Sequence, residues 1–156
     1  MKLPENYVIS KAALDAVRRH ANSARPGWEI GGALRVEEDR FVGYRRIENV
    51  AGLPGWFEPA GGRWHRGEPE ILLHSHPGEN HVGHHISRGD VDYMVANDVQ
   101  AMAIFVPALD RIFVWWLTDL ATRSVQAVPV IAEQRPPSRA RPLRRPGRRG
   151  LTVRRS

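Results

Sequence analysis

The sequence predicts an α/β fold: one domain over residues 1–134 with a mostly mixed β-sheet flanked by helices, then a disordered basic tail over residues 135–156. Three observations carry this. The chain has 156 residues, 42% hydrophobic and 26% charged, which suits one compact core with little room for a second. Apolar residues recur at helical spacing in two stretches and gather into short runs elsewhere, in the order α-β-β-β-α-β-β with one further edge strand. The charge is divided along the chain. Nine arginines and no Asp, Glu or Lys lie from 135 to 156. Of the 23 basic groups, 14 therefore remain in residues 1–134 against all 17 acidic groups, a net of −3 beneath a whole-chain charge of +6.

The elements follow in order. Residues 9–24 read as an amphipathic helix, with Ser10 a candidate N-cap and Ala13, Leu14, Val17 and Ala21 on one face. Pro26-Gly27 ends it. Residues 29–36 read as a strand whose Gly31-Gly32 pair signals a bulge or a close backbone approach. A Glu-Glu-Asp-Arg turn leads to a second strand over 41–50. Residues 51–69, rich in Gly and Pro, form a long surface loop carrying Trp56, Phe57 and Trp64. A short apolar strand over 70–75 and a Gly/His loop over 77–86 precede a helix over 87–99. Two apolar strands, 101–107 and 111–118, are close enough to form a hairpin. Residues 125–131 form a last edge strand, interrupted by Pro129.

Composition excludes several classes. With zero Cys, there are no disulfide scaffolds, Cys-ligated zinc ribbons, iron–sulfur clusters or cysteine nucleophiles. Pro4, Glu5 and Asn6 stand where the apolar part of a secretory signal would begin. The longest apolar runs, 101–106 and 112–117, fall far short of the ~20 residues that span a bilayer. The expectation is a cytoplasmic protein without a membrane span. The Arg/Pro-rich tail cannot bury enough surface to order itself. It is either a polyanion-binding handle, for nucleic acid, anionic lipid or an acidic partner, or a solubilising extension.

Five of the seven histidines lie between positions 74 and 85. His74 and His76 are two apart at the end of an apolar strand, so both imidazoles project from one face. That is half of a metal site. Asp90, one turn into the following helix, is the best third ligand. Two His, one Asp and no Cys suit a catalytic Zn2+ site, because three protein ligands leave a position open. Ser87-x-x-Asp90 is also a helix N-cap signature, and His-x-His in a loop is often plain polar surface. The combination, with a strand before it and Pro77 after, is much more specific than either part.

These residues resemble the JAMM motif of MPN-domain metalloproteases, Glu…His-Ser/Thr-His-Pro…Ser-x-x-Asp. Here it reads His74-Ser75-His76-Pro77, then Ser87-Arg88-Gly89-Asp90, with Glu29-Ile30-Gly31-Gly32 in the position of the family's glutamate. The resemblance covers roughly residues 8 to 120 and is nearest to short bacterial members. It implies an MPN-type fold with a cytidine-deaminase-like layout, zinc held by His74, His76 and Asp90, Glu29 as general base and Ser87 on the oxyanion. The implied activity is hydrolysis of a peptide or isopeptide bond at the tail of a ubiquitin-like or sulfur-carrier protein. Ten residues separate His76 from Ser87, more than the family usually has, and His81, His84 and His85 in that loop compete with Asp90 as ligands. Glu70 and Glu79 compete with Glu29 for the base. Trp56, Phe57 and Trp64 either line a substrate groove or anchor their loop. Two other classes stand beside the enzyme: a non-catalytic metal-binding interaction module, and a nucleic-acid-associated protein acting through its Arg tail.

Overall fold

Tyr7-Val8-Ile9 runs buried, half-buried, buried, the alternation of a strand. These residues are β1 (Tyr7–Ile9). Ser10 then caps α1 (Lys11–Ser23), its hydroxyl accepting from the Ala13 N–H at 3.2 Å. The computed structural model describes residues 2–61, 69–78 and 85–135. Within them follow β2 (Gly31–Glu37), β3 (Arg40–Ile47), β4 (Glu70–Ser75), α2 (Arg88–Asn97), β5 (Ala101–Val106), a 3₁₀ turn (Pro107–Leu109), β6 (Arg111–Asp119) and β7 (Ser124–Ala132). The predicted disordered tail lies, from residue 136 onward, outside the described residues. No helix among the described residues is long and apolar enough to cross a membrane.

The strands form a closed barrel in the order β1-β3-β2-β4-β5-β6-β7. β2 runs antiparallel to β3 and β4, and β6 antiparallel to β5 and β7. β4 and β5 are parallel, as β1 is to both β3 and β7. This corrects the α/β expectation. The described residues form a mostly-β, seven-stranded mixed barrel with two α-helices, and not a mixed sheet flanked by helices in the MPN/JAMM or cytidine-deaminase manner. The cause is β1. Without it the sheet would be open at β3 and β7. Val8 and Ile9 pair with Arg40 and Phe41, while Tyr7, Val8 and Ile9 pair with Val130, Ile131 and Ala132. Three residues before a helix cap are too few to show a period of two, so the sequence leaves Tyr7 and Val8 unassigned and draws Ile9 into the predicted helix, which the structure begins at Lys11 instead. β7 is corrected likewise, from an edge strand to one paired on both sides. β1 meets it only beyond Pro129, so the proline's missing N–H costs no bond to β1.

β4 is buried on both faces and divides the interior. Ile71 and Leu73 join Ala103 and Phe105 of β5, Phe41, and the Ala13–Leu14–Val17 stripe of α1 in the main core. Leu72 faces the other way, against Met102, Val99 and Met94 of α2. By strand parity His74 faces the α2 side and Ser75 the main core. Near the end of α1, the His20 Nδ1 lies 2.8 Å from the Tyr44 hydroxyl on β3. Burial, reinforced by the nearby Arg46 charge, lowers the His20 pKa from its ordinary 6.5.

Two outcomes follow from this packing. Ile9→Ala, at a position 1% exposed, should cost about 2–5 kcal/mol in urea unfolding. A loss below about 1 kcal/mol would contradict a closing strand there. For His20, the folded state favours the neutral ring, so the unfolded chain binds more protons below pH 6.5. Its contribution is complete above that value and is lost as pH falls. The thermal midpoint should therefore drop more steeply on acidification from about pH 7 to about pH 5 in the wild type than in His20→Gln, and equal slopes would refute the assignment.

Candidate metal centre

The site is built from the carboxyl end of β4. Ser75, 2% exposed, accepts from the Ile30 N–H through its hydroxyl at 2.9 Å, and its own N–H donates to the Ile30 carbonyl at 2.9 Å. His76 N–H donates to the Phe105 carbonyl at 2.9 Å. The backbone immediately after His74 is thereby fixed to the segment before β2 and to β5. His74 itself is 3% exposed, and its Cα partner across β2 is Gly31. A Cβ on Gly31 would sit 2.0 Å from the Phe57 ring. The glycine therefore admits that ring, which lies parallel to the His74 imidazole with centroids 6.1 Å apart. The close approach anticipated from Gly31-Gly32 is this one, together with Tyr44 over Gly32.

The third donor comes from α2. Ser87 is its N-cap, accepting from the Asp90 N–H at 3.0 Å, while the Asp90 carboxylate accepts from the Ser87 N–H at 3.0 Å. The Ser87 hydroxyl also donates to Asp90 Oδ2 at 2.6 Å. The cap and ligand readings of Ser-x-x-Asp are thus the same structure: capping aims Asp90 at the histidines. His74 Nε2 lies 3.0 Å from His76 Nε2 and 3.2 Å from Asp90 Oδ1, and His76 Nε2 lies 3.4 Å from Asp90 Oδ2. All three residues present a ligand atom within 4.8 Å of one another. A tetrahedral zinc with bonds of about 2.0–2.2 Å spaces its donors by roughly 3.3–3.6 Å, so this triangle needs little adjustment to accept one. Burial raises the Asp90 pKa. Hydrogen bonds from His74, His76 and Ser87, with the His74 charge, outweigh burial and hold the carboxyl well below the usual carboxylate range.

Glu29 lines the same cleft, just before β2 rather than within a strand as predicted. The main chain there is held by the Ser75–Ile30 bonds and by Asn49, whose Nδ2 donates to the Glu29 carbonyl at 3.0 Å. Burial raises the Glu29 pKa, and Asp90 adds to this, against the opposing pull of His74 and His76. The cleft, about 980 Å³, is lined by Glu29, His74, His76, Ser87 and Asp90 together with Trp56, Phe57, Tyr93 and Met102.

The remaining sequence candidates are placed as follows. Glu70 pairs with Arg45 at 3.0 Å and is not among the cleft-lining residues. His85 is exposed and outside the triad. Glu79, His81, His84 and Trp64 lie outside the described residues. Of the three aromatic groove candidates, Trp56 and Phe57 line the cleft. Sequence reasoning missed Asn49 and Tyr93. An Asn immediately before a Gly/Pro-rich loop signals a side chain that bonds the backbone two residues on, as Asn49 Oδ1 does with the Ala51 N–H. Nothing in the sequence singles out Tyr93. The chain matches no protein-family model and no curated protein.

Gly31→Ala should test the packing beside the triad. An alanine in a strand interior ordinarily gains about 0.5–1 kcal/mol over glycine. Here it should lose about 1–3 kcal/mol, because the Phe57 ring must leave His74. Phe57→Ala should abolish that penalty in the double variant. A stabilised Gly31→Ala would disprove the contact.

Proposed function

We propose that the chain is a zinc-dependent metalloprotease or isopeptidase that cleaves a peptide or isopeptide bond, at the C-terminal tail of a ubiquitin-like or sulfur-carrier-type protein. One observation carries the reading: two imidazoles and a carboxylate converge in a cleft that is also lined by a half-buried glutamate. His74, His76 and Asp90 would hold the metal. When bound, zinc supplies Lewis acidity at the scissile carbonyl and makes water acidic enough to attack near neutral pH. The Glu29 carboxylate takes the proton from the attacking water and returns it to the leaving nitrogen, and a pKa raised by burial suits a group that must both accept and release a proton. The Ser87 proton is directed at Asp90, so Ser87 orients that ligand; the oxyanion role suggested by the resemblance requires the hydroxyl to turn away from Oδ2. Trp56 and Phe57 offer apolar walls to an extended segment. The resemblance of the His-Ser-His-Pro and Ser-x-x-Asp motifs to JAMM metalloproteases supports hydrolysis, and the absence of cysteine supports a cytoplasmic setting. We assign the Arg tail a secondary polyanion contact.

A second reading rests on the donor set alone. Two histidines and one carboxylate with open positions also suit ferrous iron in oxygen chemistry. Glu29 favours hydrolysis, since that chemistry has no need of a carboxylate base beside the metal.

Purified protein should carry about one zinc per chain, and His74→Ala, His76→Ala and Asp90→Ala should each lose it. Iron in its place would favour the second reading. Glu29→Gln should keep zinc and the fold but lower hydrolysis of ubiquitin-like fusion substrates by about 10²–10⁴-fold. Zinc without turnover in the wild type would leave a binding module.

A further inference from the structure

Asn49 lies just beyond β3, half-buried, where a single antiparallel bridge joins it to Pro59. Its carboxamide uses its full capacity of two donors and two acceptor sites. Nδ2 donates to the Glu29 carbonyl at 3.0 Å and to the Trp56 carbonyl at 2.7 Å. Oδ1 accepts from the Ala51 N–H at 3.0 Å and the Glu58 N–H at 3.1 Å. Only one orientation of the amide satisfies this set, because the reverse would set an oxygen against two carbonyl oxygens. Around it, Val50 N–H donates to the Glu58 carbonyl at 2.9 Å, Ala60 N–H to the Glu48 carbonyl at 3.0 Å, and Gly55 N–H to the Gly27 carbonyl at 3.0 Å. The loop that carries Trp56 and Phe57 is thus cross-braced and stapled to the segment that carries Glu29.

We infer that Asn49 is the positioning residue of the cleft: one side chain ties the main chain of Glu29 to the Trp56–Phe57 wall, so that the base and the substrate-facing wall are set together. This rests on the hydrolase reading only for the role of Glu29. The metal ligands are held separately, by β4 and by the α2 cap, so Asn49 acts on the proton-transfer side of the site and not on metal retention.

The two halves of the carboxamide can be separated. Asn49→Asp keeps acceptors for the Ala51 and Glu58 N–H groups but turns a carboxylate oxygen toward the Glu29 and Trp56 carbonyls, breaking both donated bonds. In zinc-loaded protein, amide exchange over residues 28–31 should rise about tenfold, because the segment opens more often once its Glu29 carbonyl is released, while zinc stoichiometry stays unchanged. On any fusion substrate that the wild type cleaves, kcat should fall about a hundredfold, the usual effect of a small misplacement of a reacting group, and by more than KM rises through the released Trp56 wall. Asn49→Ala, which also removes the acceptors for Ala51 and Glu58, should loosen residues 50–60 further than Asn49→Asp does, and provides the exchange measurement should the Asp variant fail to fold. Trp56→Ala should loosen only 50–60. Unchanged exchange over 28–31 in both Asn49 variants, or raised exchange with an unchanged kcat, would overturn the proposal. A wild type that binds zinc yet cleaves nothing would overturn the hydrolase reading instead, while the exchange measurement still decides whether Asn49 couples the two segments.

Discussion

Ser75 and Ile30 exchange two hydrogen bonds in the main core, hydroxyl to N–H and N–H to carbonyl. Both residues are buried, so neither pair of polar groups has water as an alternative, and breaking the exchange leaves unsatisfied donors in a close-packed interior. The register this sets is the one on which the site depends. With Ser75 turned inward, His74 and His76 turn outward together, and with Ile30 held opposite, Glu29 comes to the same cleft. A slip of one residue along β4 would exchange the faces and point both imidazoles into the main core. The middle residue of His-Ser-His is therefore as structural as its neighbours are chemical.

The site is assembled from short-range devices placed on that register. A helix cap aims Asp90. A glycine opposite His74 makes room for a phenyl ring. A saturated asparagine holds the loop that supplies the ring. In each case an ordinary rule of local structure places a residue of the candidate site. Asp90 illustrates the energetic side: burying a carboxylate is unfavourable, yet the two histidines and the Ser87 hydroxyl compensate it fully enough to keep it charged. A divalent cation replacing the contacts among the three side chains would find them already desolvated and oriented, so little ordering remains at the moment of binding.

The sequence is a good guide where signals are local and strong. β4 is found at its predicted bounds, α2 and the strands after it within a few residues, and the His74–His76–Asp90 proximity follows from strand parity plus one helical turn. Architecture was the harder matter. Whether a mixed sheet is open or closed depends on pairings between distant segments, here Tyr7 with Val130 and Val8 with Arg40, and no local periodicity encodes them. Glu29 illustrates a finer limit. Its approach to the histidines is set by the Ser75–Ile30 exchange, a contact between residues far apart in sequence. Asn49 escaped notice because its residue type is common before turns, and its four partners emerge only when three segments meet.

The three-residue strand β1 also has a consequence in time. Its two neighbours are β3, made early, and β7, the last described strand to leave the ribosome. The barrel cannot seal until nearly the whole domain has been synthesised, and the contacts that seal it carry the largest loop-closure entropy in the fold. Pairing between chain ends is slow compared with helix or hairpin formation. Phe41 and Val128 share one core with Tyr7 and Ile9, so the cover over both is complete only when that last pairing is made.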